Sequence, residues 1–225
     1  LLWLAFFALA LPSGYFASEM FKQDDGKRYF HMITFGVTAI ASLAYLAMAT
    51  GNGVYVRPFD GREFFYARYI DRPFTTHLQR HDILGFAGAS QDTVSWMLGA
   101  DLLMIIAGLI GAFLDGNEKY YFWFFGMAMF IPILYMLVTG LKANLPADPA
   151  VQAVYGRIAM LTAVTWSCYP VVWLAAEGTG NISADSEAIC YTIPRMVDDM
   201  IGTEESRGLV ADARRAESTR RADML

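Results

Sequence analysis

Charge is scarce in this 225-residue chain. Only 17% of residues are Asp, Glu, Lys or Arg and 56% are hydrophobic, whereas a soluble domain carries about a quarter charged residues. Cysteine is scarcer: Cys168 and Cys190 are the only two. Both lie in apolar segments, too few for a disulfide framework and suited to packing. The histidines are His31, His77 and His81; the last two share a helical face but lack a third ligand, so no metal site is expected. No basic patch interleaved with aromatics is present, which argues against a nucleic-acid partner.

What the chain has in quantity is long apolar runs. A bilayer-spanning helix needs about 20 mostly apolar residues. Candidate spans are Leu1–Phe21, Tyr29–Gly51, Phe64–Gly88, Val94–Leu114, Lys119–Leu141 and Val151–Ala175, and a seventh run starts near Ala188 and stops at Ile193. Short polar connections separate them, which makes sequential helices antiparallel neighbours. The expectation is an integral, multi-pass, all-α membrane protein whose first partner is the lipid bilayer. The chain opens on Leu, and its natural N-terminus is expected to lie upstream. Loop lysines and arginines number four on one side (Lys22, Lys27, Arg28, Lys142) and three on the other (Arg57, Arg62, Lys119), so they leave orientation open.

Residues 194–225 break the pattern. They hold 13 charged residues among 32 and begin with Pro194. A mid-bilayer charge costs roughly 2.5–3.5 kcal/mol, and proline removes a helical hydrogen bond. The expected organisation is therefore a membrane bundle over residues 1–193 and a charged, solvated tail over residues 194–225, with Pro194 ending the last helix.

The third span carries ionisable groups where hydrocarbon would penalise them. Arg68, Asp71 and Thr75 follow one another at single-turn spacing, and Asp82 lies 11 residues after Asp71, roughly 16 Å along a helix axis. Such groups normally face a protein interior and mark ion or proton pathways. Trp123, Trp166, Tyr169 and Trp173 recur at helical spacing in later spans. Aromatic core packing accounts for them; so does a cage for a flat conjugated ligand.

Arg68-Tyr69-x-Asp71 followed by Thr75-Thr76 and Asp82 resembles the third helix of microbial rhodopsins, specifically the bacteriorhodopsin-like proton pumps. Gly99-Ala100-Asp101 with Met104 and Gly108 resembles the fourth helix. Trp123, Gly126 and Phe130 resemble the fifth, and Trp166-Ser167-Cys168-Tyr169-Pro170-Val171-Val172-Trp173 the sixth. The resemblance runs in order over residues 1–193. It implies a seven-transmembrane-helix rhodopsin bundle with a truncated or disrupted seventh helix, light-driven outward proton transport, and no enzymatic activity. Retinal is the implied cofactor, protons the cargo, and a homo-oligomer is compatible. By the resemblance, Asp71 is counterion and first proton acceptor, and Arg68 keeps it ionised. Asp82 resupplies the proton, and Glu177 and Glu187 release it. Thr75, Thr76, Met104, Gly108, Trp123, Gly126, Phe130, Trp166, Tyr169, Pro170 and Trp173 line the retinal site.

The chain departs from the family at the attachment point. Its lysines are Lys22, Lys27, Lys119 and Lys142. The position expected to hold the retinal lysine is Asp199, and a carboxylate does not condense with an aldehyde. Arg195 stands where the family has a second counterion carboxylate, and Arg72 where it has a pocket tryptophan. Pro73 follows inside the helix, His77 replaces a proline, and Arg80 and His81 crowd Asp82. Two further readings therefore stand beside the pump: a non-photoactive, opsin-related membrane protein acting by interaction, and a sensory photoreceptor signalling through its tail.

Overall fold

A computed structural model describes residues 2–22, 25–86, 89–145 and 148–197. Seven helices follow in order: α1 (Leu2–Met20), α2 (Asp25–Ala49), α3 (Ala67–Phe86), α4 (Gln91–Phe113), α5 (Glu118–Tyr135), α6 (Pro149–Trp173) and α7 (Ala184–Val197). A two-residue hairpin, β1 (Tyr55–Val56) paired antiparallel with β2 (Glu63–Phe64), lies between α2 and α3. The α5 rod continues through a π-turn, Met136–Gly140, into a 3₁₀ turn, Leu141–Asn144. The α6 rod ends in a second π-turn, Leu174–Gly178.

Local chemistry sets several boundaries. The Ser90 hydroxyl caps α4 by accepting from the Thr93 amide at 3.2 Å, which satisfies a backbone donor that the helix leaves open. Pro149 opens α6, where its missing N–H costs nothing. Gly51, Gly53 and Gly61 turn the chain into and around the hairpin with positive φ, a conformation in which a side chain would be strained.

Among the described residues, four rods are long and apolar enough to cross a membrane: His31–Ala49, Gln91–Phe113, Glu118–Gly140 and Val151–Gly178. α3 is not one of them, because its charges dilute its hydropathy. Those charges turn inward: Arg68 and Asp71 are both buried. Outward faces carry large apolar groups, among them Leu4, Leu11, Tyr121, Phe124 and Ile131. With no aqueous exterior to require a polar face, this is the pattern of rods packed inside and bathed in lipid outside.

Each of α1 to α4 packs on its successor, as do α4 on α5 and α6 on α7, and α1 also meets α7. One core fills the space between α4, α5 and α6, with Met97, Phe130, Ile133, Leu137, Tyr155, Ile158 and Trp166. A second lies under the hairpin, with Leu9, Ala41, Tyr45, Met48 and Phe65.

The expected stop at Pro194 requires correction. α7 runs through Pro194 to Val197, and Arg195 is buried at 5% exposure. The proline deletes one backbone bond, a loss that membrane helices tolerate when neighbours hold the rod. Here Tyr191 and Arg195 both face inward, and the Tyr45 hydroxyl meets the Thr192 hydroxyl at 2.9 Å. Arg195 escapes the bilayer penalty by finding a carboxylate inside. The described helix has 14 residues, about 21 Å. The remainder of the expected tail, including Asp199, lies outside the described residues.

Candidate functional site

α3 and α7 face each other through two rows of polar side chains. On α7, Glu187, Tyr191 and Arg195 are spaced four apart and all buried, one stripe of the helix. On α3, Arg68, Asp71 and Thr75 form the opposing stripe, also buried. The rows pair across the gap. Arg68 binds Glu187, and the Arg195 guanidinium reaches the Asp71 carboxylate at 2.5 Å. The expectation that Arg68 holds Asp71 therefore needs revision: the partner found on Asp71 is Arg195, and Arg68 turns to Glu187. In an interior, each charge goes to the counter-charge whose helix face presents it.

Four flat groups stack between these pairs. The Arg68 guanidinium lies over the Tyr191 ring at 4.4 Å, Tyr191 stacks on Tyr169 at 5.9 Å and 13°, and the Arg72 guanidinium covers Tyr169 at 3.5 Å. A planar cation over an electron-rich ring is favourable, so the stack welds α3, α6 and α7 together. No carboxylate lies within ion-pairing distance of Arg72 among the described residues.

Beside this stack is a cavity of about 120 Å³. Ten of the eleven expected cage residues line it. Thr76 and Met104 are there, Gly108 and Gly126 leave room for it, and Phe130 closes one side. Trp123, Trp166 and Trp173 supply indole faces, joined by Tyr169 and Pro170. Thr75 does not; it is buried with its hydroxyl donating to the Arg72 carbonyl at 3.3 Å. Two indoles are pinned by their N–H groups: Trp123 donates to the Pro170 carbonyl and Trp173 to the Gly108 carbonyl, each at 3.1 Å. Such bonds fix ring planes, which plain apolar packing leaves free. Arg68 and Arg72 also line the cavity.

Glu177 and Glu187 lie towards the hairpin end. Arg57, buried in the hairpin turn, donates to Glu177 at 2.5 Å and to the Ala112 carbonyl at 3.1 Å. Arg62 reaches Glu187 at 2.7 Å and the Ile182 carbonyl at 2.7 Å. Each carboxylate is thus clamped by hairpin arginines. Burial pushes the Asp60 carboxyl up, but the Arg62 amide and the Arg57 guanidinium outweigh it and hold it below its ordinary value. Asp82 falls on α3, with its side chain outside the described residues.

Several site residues escaped the sequence reading. Arg57 and Arg62 passed for ordinary loop charges. Tyr191, Phe122 and Met127 line the cavity without a motif to announce them. Asp101 is buried at 1% exposure and accepts from the Thr76 hydroxyl at 2.7 Å. A carboxylate in an otherwise apolar helix was the available signal for it. Among the described residues no group of three metal-ligating side chains occurs.

The family model for bacteriorhodopsin-like proteins matches residues 1–197. The chain belongs to that family. Among relatives of this bacteriorhodopsin-like chain, the opsin-like protein carO of Fusarium fujikuroi is 38% identical over 186 residues, 74% of this chain. The chain spans 58% of that relative's length. Bacteriorhodopsin of Halobacterium halobium (strain shark) is 33% identical over 210 residues, covering 87% of this chain and all of the relative. Among solved structures, the light-driven proton pump rhodopsin of Coccomyxa subellipsoidea superposes with a TM-score of 0.85 at 31% identity, over 92% of this chain and 93% of that one. The light-driven proton pump of Leptosphaeria maculans gives 0.87 at 28% identity, over 95% and 94%. The protein is an integral, multi-pass membrane protein of the microbial rhodopsin fold.

Members of this family bind retinal, and the cavity fits that group only in part. Its aromatic walls suit a ring and a conjugated chain. Its far end does not suit the attachment: no lysine follows Lys142 in the sequence, and the Asp71 carboxylate is already met by Arg195. The volume is near the ~150 Å³ that accepts benzene, enough for a ring without a long polyene.

Proposed function

We propose that this chain is an opsin-related membrane protein that keeps the frame of the light-driven proton pumps and does not form their covalent pigment. The observation that carries this is the Asp71–Arg195 pair, with the lack of any lysine after Lys142. Proton transfer to an acid needs a cation that can let its proton go. A guanidinium stays charged at any ordinary pH. With Arg195 as its counter-charge, Asp71 has a fixed partner in place of a proton donor.

Light-driven outward proton transport is the second reading, favoured by the retained cage and by the carboxylates. In that reading Asp71 is the proton acceptor and Asp82 the resupplying acid. Arg68 links Asp71 to the exit, and Glu177 and Glu187 share the outgoing proton between Arg57, Arg62 and Arg68.

All-trans retinal added to the purified protein separates the two. The expected result is no visible absorption band, no borohydride-reducible adduct, and no light-dependent pH change in vesicles. A visible pigment that acidifies or alkalinises its medium in light overturns the proposal and restores the pump.

A further inference from the structure

We propose that the cavity binds a small planar aromatic or conjugated carboxylate, held non-covalently with its ring in the tryptophan cage and its carboxylate on Arg72. This rests on the reading above that the site forms no covalent pigment.

The charges at the cavity leave one cation unanswered. Arg68 lines the wall but is matched by Glu187, and Arg195 is matched by Asp71. Asp101, also in the wall, accepts from the Thr76 hydroxyl at 2.7 Å. Arg72 meets the face of Tyr169 and no carboxylate among the described residues. A guanidinium withdrawn from water costs several kcal/mol unless an anion meets it. Its fork geometry suits a carboxylate with two parallel bonds.

The body of the ligand follows from the walls. Trp123 and Trp173 have their planes fixed by hydrogen bonds, so the slot is preset for a flat group. Its volume, about 120 Å³, approaches that of a benzene site. A ring with a short conjugated arm ending in a carboxylate fills the slot and brings its charge to Arg72. A neutral ligand of the same shape leaves the guanidinium unsatisfied, which is where discrimination arises.

The test uses the full chain in nanodiscs, with empty nanodiscs correcting for partition into lipid. Equilibrium dialysis compares trans-cinnamate with its neutral counterpart, cinnamyl alcohol. Hydrogen bonds to a charged group contribute about 1.5–3 kcal/mol, so the acid should bind at least about tenfold more tightly. Arg72→Gln should bring the ratio to about one while alcohol binding stays. Equal affinity for acid and alcohol in the unaltered protein overturns the assignment, and that comparison needs no variant to fold. An unchanged ratio in Arg72→Gln also overturns it. A retinal pigment would instead overturn the reading on which the assignment rests, so the two failures are distinguishable.

Discussion

Asp71 and Arg195 are each buried and each dependent on the other. Removing one partner of such a pair strands a charge in the interior, at a cost of about 3–5 kcal/mol. Asp71→Asn and Arg195→Gln should each lower the unfolding free energy by about that amount. The double variant should lose clearly less than the sum of the two. Denaturant unfolding of the three proteins in detergent measures the coupling, and strictly additive losses would mean that the pair does not exist in the folded protein. Asp60 supports a smaller claim. Its folded carboxyl titrates below its ordinary value, so the stability it contributes is present above about pH 4. That stability is lost as pH falls through the lower folded value. Asp60→Asn should therefore be less stable than the parent near neutrality, and the gap between their unfolding midpoints should close in acid. At this scale the aromatic cage was legible, because indoles and phenols at helical spacing declare a face. Pair assignments were not. Arg68 lies one turn from Asp71 in sequence, yet its counter-charge comes from a helix more than a hundred residues away.

The seven rods were legible as elements, since apolar length alone marks them. Their ends shifted by a few residues where caps and glycines decided. The last rod was misjudged because a count of charges is blind to direction: α7 carries Arg195 past Pro194 into the bundle rather than into lipid. The hairpin was hidden because two-residue strands leave no periodic trace, although the glycines around it hinted at turns. Gly53 there has φ +78, and an added Cβ would lie 2.7 Å from the Ala67 Cβ. Gly53→Ala combines backbone strain of roughly 1–2 kcal/mol with an overpacking cost of about 1–3 kcal/mol. A drop in thermal midpoint is the expected readout, and an unchanged midpoint would remove the hairpin's role in positioning α3. On α6, Trp173→Ala empties a buried volume and frees the Gly108 carbonyl, with an expected loss of about 3–5 kcal/mol.

For the molecule as a whole, the departures from the family act together. Restoring lysine alone, as Asp199→Lys, should give no visible band with all-trans retinal, because Arg195 still occupies Asp71 and Arg72 still covers Tyr169. A stable coloured protein from that single change would show that the arginines are no obstacle. Loop cations gave no orientation from sequence for a related reason. Arg57 and Arg62 look like solvent-facing charges, but both are spent on Glu177 and Glu187 inside the fold, so they were never free to report on a membrane potential. The hairpin carries one consequence for anyone recombining this protein with its relatives. Arg57 ties three segments at once, gripping Glu177 at the end of the sixth rod, the Ala112 carbonyl on the fourth and Asp60 beside it. A loop transplant that omits that arginine would loosen the lid, the fourth rod and the sixth in a single stroke, so any graft here must carry its own anchor.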